Sequence, residues 1–217
     1  MLRRLVQNVA QDLPPLRWGV LTLDARSAEI RQAEADIPPE EREAIHVGIV
    51  PPMSPVMAKY RHQIGDIKAW AVAELMYNEL DTTDQKRVIF CYHRSVLDIL
   101  EFELQAYGVV RIDGDTTPTQ REERVRQFKE VPARRVFLGQ IGACGVGLDG
   151  LQFAANEAII VEPDWSRDVN VQAAHRLARI GQINPVQVRM IALDGSLDEA
   201  IVRQFHRECA MVERIVG

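Results

Sequence analysis

Short apolar runs alternate with helical patterns along the rear two thirds of the sequence. Each run is rich in Val, Ile or Phe and is bounded by Gly, Pro, Asp or Asn, the pattern of a buried strand. The predicted strands cover residues 87–92, 109–112, 135–138, 158–161 and 186–191. Because strands and helices alternate, the sequence predicts an α/β fold, with a mostly parallel sheet covered by helices on both faces. Ligands of such sheets bind at the carboxyl ends of the strands.

Apolar residues at helical spacing predict the covering helices. These helices are expected over residues 65–80, 95–107, 118–128 and 196–216. The front of the chain is patterned less clearly: residues 18–23 resemble a strand, 38–45 a short helix, and 51–55 a rigid proline-rich linker. We therefore expect residues 1–60 to form an N-terminal segment that leads into the main lobe at 61–217.

Composition is that of a globular protein without a membrane span. Of 217 residues, 47% are hydrophobic and 26% are charged, and the net charge is −5. Proteins that coat nucleic acid by bulk attraction usually carry a basic excess, so any DNA contact must come from local basic groups. The widely separated Cys91, Cys144 and Cys209 fit neither a disulfide framework nor a paired zinc site. We expect no membrane partner and a cytoplasmic or nucleoid-associated location.

Segment 172–182 carries the most informative chemistry. Its sequence is Gln172-x-x-x-Arg176-x-x-Arg179-Ile180-Gly181-Gln182. On a helix, spacings of four and three place Gln172, Arg176 and Arg179 on one electropositive face. Neighbouring arginines repel each other, but they suit the spread negative charge of a transferring phosphoryl group. The alternative, surface arginines paired with acids, accounts less well for the length of the pattern and the acidic-aromatic turn at 162–165 that precedes it.

Gly142, Gly145 and Gly147 follow the predicted strand at 135–138. They let the backbone turn tightly and approach a phosphate closely, although a plain strand-to-helix turn is also consistent with them. A dinucleotide-binding loop needs G-x-G-x-x-G at the start of a helix. The order here differs, which argues against an unrelated α/β nucleotide or sugar-phosphate enzyme.

Together these segments resemble the second, C-terminal RecA-like lobe of SWI/SNF-type helicase-like ATPases, in helicase superfamily two. Segment 172–182 looks like motif six of that family, residues 88–93 like motif four and residues 136–148 like motif five. Residues 111–116, followed by Arg121 and Phe128, are similar to a further family block. The resemblance covers essentially the whole chain, and the run from His93 with Asp113-Gly114 resembles the annealing-helicase subgroup more than nucleosome remodelers. It implies a RecA-like three-layer sandwich with an N-terminal extension and a long C-terminal helix.

The resemblance implies a role for each group of motif residues. The arginine fingers of ATP hydrolysis would be Arg176 and Arg179. ATP binding and coupling between the lobes would involve Gln172, Gly145, Gly147, Leu148, Asp149 and Gln182. Contacts with the DNA backbone would involve His93, Arg94, Asp113, Gly114 and Arg121. A solvated strand end is the alternative for His93 and Arg94, and an ordinary turn is the alternative for Asp113-Gly114.

The resemblance also implies partners that this sequence lacks. A G-x-x-x-x-G-K-[ST] phosphate loop and a D-E-x-x box are both absent from it. In the family both lie on an N-terminal RecA-like lobe, which would share ATP and Mg²⁺ with this lobe and act on duplex or branched DNA. We therefore expect the chain to be half of a motor that is inactive alone and binds no metal by itself. The alternative is a non-catalytic DNA- or protein-binding module on the same fold.

Some positions depart from the family pattern. Asp149 stands where Asn is usual, Gly139-Gln140 replace a hydroxyl residue, and Ser166-Arg167 stand where Asn-Pro is common. These departures concern the DNA-facing details and leave the arginines in place.

Overall fold

A parallel sheet of six strands forms the centre of the fold in the computed structural model, which describes residues 13–24, 27–145 and 148–216. Its strands are β1 (Leu16–Leu23), β2 (Arg87–Cys91), β3 (Val109–Ile112), β4 (Val136–Gln140), β5 (Glu157–Ile160) and β6 (Val186–Leu193). Their spatial order is β1-β6-β5-β2-β4-β3, and every neighbouring pair is parallel. The carboxyl ends of β5, β2, β4 and β3 therefore lie side by side.

Helices connect the strands. Those in the described residues are α1 (Ser27–Ala33), α2 (Pro39–His46), α3 (Pro55–Leu80), α4 (Arg94–Leu104), α5 (Pro118–Glu130), α6 (Arg167–Ala174) and α7 (Leu197–Val216). None of these helices combines the length and the apolar character needed to cross a membrane.

Alternate residues of β2 supply two separate cores. Val88 and Phe90 pack on one face with residues of α5, α6 and α7, whereas Ile89 and Cys91 pack on the other face with residues of α3 and α4. Full burial of such a side chain contributes about 1.5–3 kcal/mol, so a strand covered on both faces is favoured to be apolar throughout. The predicted three-layer RecA-like α/β sandwich is confirmed.

The front of the chain joins the same sheet. β1 pairs with β6 along its whole length, from Leu16 opposite Val186 to Leu23 opposite Leu193. An apolar cluster packs α1 and α2 against the first turns of α3 and α7. The boundary predicted at residue 60 falls inside α3, within this packed region.

The long helix α3 begins earlier than the sequence predicts. The expected start was residue 65, after a rigid linker over 51–55, but the helix starts at Pro55. Ser54 is its N-cap and accepts a hydrogen bond from the Met57 amide at 3.1 Å. Pro55 occupies the first helical position, where a missing N–H leaves no hydrogen bond unmade. The linker prediction is wrong at Pro55 because a proline that opens a helix and a proline in a linker give the same local pattern. The helix α1 had no counterpart in the prediction.

A buried ion pair ties α3 to α7. Lys68 is fully buried, and its Nζ donates to Asp198 Oδ2 at 2.6 Å and to the Ile191 carbonyl at 3.2 Å. Asp198 lies in the first turn of α7, where the helix dipole favours a carboxylate. Loss of either partner would leave the other charge buried without compensation.

Replacing Lys68 with Ala should lower the free energy of unfolding by about 3–5 kcal/mol, because Asp198 stays buried without its partner. Urea unfolding followed by far-UV circular dichroism measures the change. Lys59→Ala is the matched control, because Lys59 and Asp36 also form an ion pair but have side chains that are 59% and 63% exposed. The control should leave the unfolding midpoint almost unchanged. Equal losses in both variants would contradict the role given to burial.

Candidate functional site

A buried carboxylate joins the ends of β5 and β2. Glu162 follows β5, and its Oε2 accepts hydrogen bonds from the backbone amides of Tyr92 at 2.8 Å and His93 at 2.9 Å. Its Oε1 lies 2.6 Å from His93 Nδ1. Burial raises the pKa of Glu162, but the hydrogen bonds and charge of His93 and the charge of Lys68 outweigh it and lower the pKa below its usual value. Glu162 is therefore held as an anion at the N-terminus of α4.

A glycine in α3 makes room for this carboxylate. A Cβ added to Gly65 would lie 2.4 Å from Glu162 Oε1 and 3.0 Å from Val96 Cγ2. Glycine weakens a helix interior by roughly 0.5–1 kcal/mol relative to alanine, so its presence here needs a reason. The close approach of α3 to the β5 end supplies that reason.

Two histidines stack beside the carboxylate. The rings of His62 and His93 lie 4.4 Å apart with an interplanar angle of 12°. His62 Nε2 lies 2.7 Å from Ser95 Oγ, which donates to Asp66 at 2.6 Å. His93 therefore uses its backbone amide and Nδ1 inside the protein, and a DNA contact through its remaining ring nitrogen stays a prediction.

Arg61 was not singled out by the sequence, because its partners are distant in the chain. It is only 5% exposed, and its guanidinium lies 3.9 Å from the Tyr92 ring centroid and 5.3 Å from that of Trp165. It donates to the Pro163 carbonyl at 3.1 Å and lies 3.7 Å from Asp164. Stacking on two aromatic faces and charge pairing fix the turn at 162–165 against the end of β2.

The ends of β2, β4 and β3 form a cleft. Gln140, the last residue of β4, donates from Nε2 to the Tyr92 carbonyl at 3.1 Å and accepts from the Gly114 amide at 3.0 Å. The cleft has a volume of about 580 Å³ and is lined by Tyr92, Gly114, Arg121, Gln140, Gly142 and Ala143. Predicted DNA-contacting residues from two different elements are therefore brought together here.

Basic side chains cross-link the loops around this cleft. Arg94 Nη1 pairs with Asp115 at 2.6 Å, and both side chains are largely exposed. Arg121 donates to the Thr116 carbonyl at 3.0 Å and to the Ala143 carbonyl at 2.6 Å. Arg121 thus joins the loop after β3 to the loop after β4.

Asp113 serves its own loop. It accepts hydrogen bonds from the Thr116 hydroxyl at 3.0 Å and the Asp115 amide at 3.2 Å, and Arg111 lies 3.0 Å away. Partial burial raises the pKa of Asp113, but Thr116 and Arg111 lower it overall. The carboxylate therefore closes the turn, and the structure adds no support for a direct DNA contact by this side chain.

The predicted arginine pair converges without the predicted helix. α6 ends at Ala174, so a continuous helix over 172–179 is wrong, because the following turns close on i−3 bonds such as Arg176 N to Ala173 O at 3.1 Å. Even so, Arg176 Nη1 and Arg179 Nη1 lie 3.3 and 3.1 Å from the same carbonyl, that of Leu148. Burial and the charge of Arg179 lower the pKa of Arg176. Arg179 also pairs with Asp149 at 3.2 Å.

The other predicted nucleotide residues are placed differently. Gln172 is exposed at the end of α6. Gln182 is buried, and its amide donates to the Gln152 and Ala155 carbonyls and accepts from the Ile183 and Asn184 amides. These bonds occupy every donor and acceptor site of the Gln182 amide, so its direct contact with a nucleotide is not supported. Gly145 ends a 3-10 turn over 143–145, and Gly147 lies outside the described residues.

Residues that follow β4 contact both Arg121 and the pair Arg176 and Arg179. Burial raises the pKa of the Cys144 thiol to about 12, and the charges of Arg121 and Arg176 oppose this rise. Arg121 also donates to the neighbouring Ala143 carbonyl, while Arg176 reaches the Leu148 carbonyl. The cleft and the arginine pair therefore contact residues, Ala143 and Leu148, that lie close together in the sequence.

Gly65→Ala should lower the free energy of unfolding by about 1–3 kcal/mol, because the added methyl group collides with Glu162 and outweighs the gain in helix propensity. Gly142→Ala is the matched control, since a Cβ there would meet nothing within 4 Å. Denaturant unfolding of both variants measures the difference. A stabilised Gly65→Ala protein would show that the close approach of α3 imposes no constraint.

Glu162→Gln should cost about 1.5–3 kcal/mol at neutral pH, because two amides and an imidazole lose a charged acceptor. The folded-state pKa of Glu162 is lowered, so its contribution is present above the unfolded value of about 4.3. That contribution disappears as the pH falls through the lower folded value. Unfolding free energies measured from pH 7 downward should therefore converge for wild type and variant below about pH 4. A constant difference at all pH values would contradict this assignment.

Comparison with known proteins places these features in a family. The family model for the helicase conserved C-terminal domain matches residues 68–181, more than half of the chain. The human DNA excision repair protein ERCC-6 is 35% identical over 128 residues, which are 57% of this chain and 8% of that protein. The Caenorhabditis elegans SWI/SNF-related matrix-associated actin-dependent regulator of chromatin subfamily A-like protein 1 homolog is 30% identical over 212 residues, 93% of this chain and 29% of that protein. The human DNA annealing helicase and endonuclease ZRANB3 is 28% identical over 217 residues, 96% of this chain and 20% of that protein.

A solved structure shares the fold. The crystal structure of the C-terminal part of the Fun30 ATPase domain superposes with a TM-score of 0.62 at 18% identity, covering 88% of this chain and 90% of that one. This chain spans less than a third of the length of the three relatives named above. The chain belongs to the helicase conserved C-terminal domain family and is a C-terminal helicase domain of the SWI/SNF type.

Proposed function

We propose that the chain is the second motor lobe of an ATP-dependent DNA translocase. In this proposal Arg176 and Arg179 stabilise the transferring phosphoryl group of ATP, and the cleft at the ends of β2, β3 and β4 contacts the DNA backbone. The convergence of both guanidinium groups on the Leu148 carbonyl is the observation that carries the proposal.

Arg176 and Arg179 place two positive charges beside the Leu148 carbonyl, and Asp149 pairs with Arg179. Partial burial and the charge of Arg179 disfavour the charged form of Arg176 and lower its pKa. Asp149 is 74% exposed, and an exposed ion pair is weak, so Arg179 can exchange this carboxylate for a phosphate oxygen. A polyphosphate placed against both arginines would compensate their charge and occupy their donors bidentately.

The residues present fit ATP phosphates better than a metal. Mg²⁺ prefers carboxylate and other oxygen ligands, whereas this site offers guanidinium donors. No group of His, Cys, Asp and Glu in the described part of the chain could hold a metal ion. Mg²⁺ and the phosphate loop would therefore come from an N-terminal RecA-like lobe, with ATP between the lobes.

The proposed DNA contact rests on local basic groups. Arg94 and Arg121 lie around the cleft in a chain whose net charge is −5. Such contacts go to phosphate and are largely independent of sequence, so the isolated lobe should bind duplex DNA weakly. Of the relatives named above, two align over more than nine tenths of this chain, and one of these is named as a DNA annealing helicase, which supports an annealing-helicase-like subgroup.

Arg179→Ala should lower the turnover of ATP by about 10³-fold or more, because an arginine finger acts mainly on the transition state. The measurement is ATP hydrolysis, with and without duplex DNA, by a polypeptide that joins a phosphate-loop lobe to this chain. The chain alone should not hydrolyse ATP. DNA should accelerate hydrolysis by the two-lobe protein.

Arg126→Ala is the matched control, because Arg126 is an exposed arginine that pairs only with Glu123 and Glu130 of its own helix among the contacts described. Its turnover should equal that of the unaltered two-lobe protein. If Arg179→Ala leaves the ATP turnover of the two-lobe protein unchanged, the motor proposal is wrong. The chain would then be better explained as a non-catalytic DNA- or protein-binding module.

A further inference from the structure

Gln140 links three strand ends through one side chain. β4 lies between β2 and β3 in the sheet, with Gln140 opposite Cys91 and Gly139 opposite Ile112. The Gln140 side chain therefore leaves the sheet midway between the loops that follow β2 and β3. Its two hydrogen bonds, to the Tyr92 carbonyl and from the Gly114 amide, close the gap between those loops.

The chemistry of the two partners selects an amide side chain. The Tyr92 carbonyl needs a donor and the Gly114 N–H needs an acceptor, and a carboxamide offers both at the end of one flexible stem. Asparagine offers the same groups but is one methylene shorter. A methionine of similar size would fill the same space without either hydrogen bond.

The Gly114 loop is also held by side chains outside it, since Arg121 donates to the Thr116 carbonyl at 3.0 Å and Arg111 lies 3.0 Å from Asp113. Asp113, Asp115 and Thr116 bond to one another, and Arg94 reaches Asp115 across exposed surface. Exposed ion pairs restrain a loop only weakly. Gln140 is the side chain that fastens the Gly114 backbone to the end of the buried sheet.

Glu162 extends this connection to β5. It accepts a hydrogen bond from the Tyr92 amide, while Gln140 donates one to the Tyr92 carbonyl. The backbone N–H and C=O of Tyr92 are thus both held by polar side chains from neighbouring strand ends. The loop at Gly114 is tied through Gln140 and Tyr92 to the buried carboxylate.

We propose that Gln140 is a positioning residue: it holds the Gly114 loop, to which Arg94 and Arg121 are hydrogen-bonded, so that these arginines can contact phosphates of the DNA backbone. This inference rests on the DNA contact proposed above and names the side chain that sets its geometry. Gln140 itself need not touch DNA, since both ends of its amide are used within the protein. The loop that it holds forms one wall of the cleft next to Arg121.

Gln140→Met, made in the full chain, separates positioning from folding. Hydrogen exchange of the Gly114 amide, resolved by NMR, should accelerate about fivefold, within the range for losing one net hydrogen bond. Anisotropy of a short fluorescein-labelled duplex, measured over a series of salt concentrations, should show weaker binding. The slope of log affinity against log salt should fall by about 0.9, the value expected when one arginine no longer neutralises a phosphate. A merely structural defect would lower the melting temperature without changing that slope.

Gln105→Met is the matched control. Gln105 Nε2 donates to the Phe102 carbonyl at 2.8 Å on an exposed turn after α4, away from the cleft. This variant should keep the wild-type Gly114 exchange rate and salt slope.

The possible failures are distinguishable. Unchanged Gly114 exchange in Gln140→Met overturns the positioning role, and faster exchange with an unchanged salt slope overturns its connection with DNA. If the wild-type chain does not bind the duplex even at low salt, the proposed DNA contact fails before any variant is compared, and the inference fails with it.

Discussion

The buried carboxylate of Glu162 is the constraint on which the carboxyl edge of the sheet depends. A buried charge is costly unless hydrogen bonds and opposite charge surround it, and here two amides and an imidazole do so. Those amides lie between the end of β2 and the start of α4, so the carboxylate also fixes where that helix leaves β2. The helix α3 can cover this arrangement only because Gly65 has no side chain. One anion thus determines the spacing of a strand end and two helices.

Other buried charged groups are also surrounded by compensating partners. Arg61 is held between two aromatic rings and beside Asp164, and Lys68 is paired with Asp198. Each pair joins segments about 100 or more residues apart in sequence. Breaking such a pair is expensive, whereas the intact pair adds less to net stability than its geometry suggests. Their main structural effect is therefore to fix one relative placement of α3, α7 and the turn after β5.

The sequence predicted those features that depend on local spacing. Apolar runs such as Val88–Cys91 identified the buried strands, and Gly108 marked the end of α4 and its following turn, where it adopts a φ of +71°. The start of α3 was missed because Pro55 has two local interpretations. The partners of Glu162 and Gln140 were missed because hydrogen bonds between strand ends follow from the order of strands in the sheet. That order cannot be obtained from local spacing.

The arginine pair shows the same division between local and tertiary information. The Arg176 and Arg179 spacing suggested one helical face, yet the helix ends before both residues. They converge because the Leu148 carbonyl lies within reach of both, a contact made across 28 and 31 residues. The Ala143 carbonyl, near Leu148 in the sequence, accepts a hydrogen bond from Arg121. If ATP and DNA bind as proposed, a shift of Leu148 would affect the arginine pair and a shift of Ala143 would affect Arg121, since their backbone carbonyls accept hydrogen bonds from these arginines. Coupling between the two sites would require two arrangements of these carbonyls that ATP and DNA favour differently.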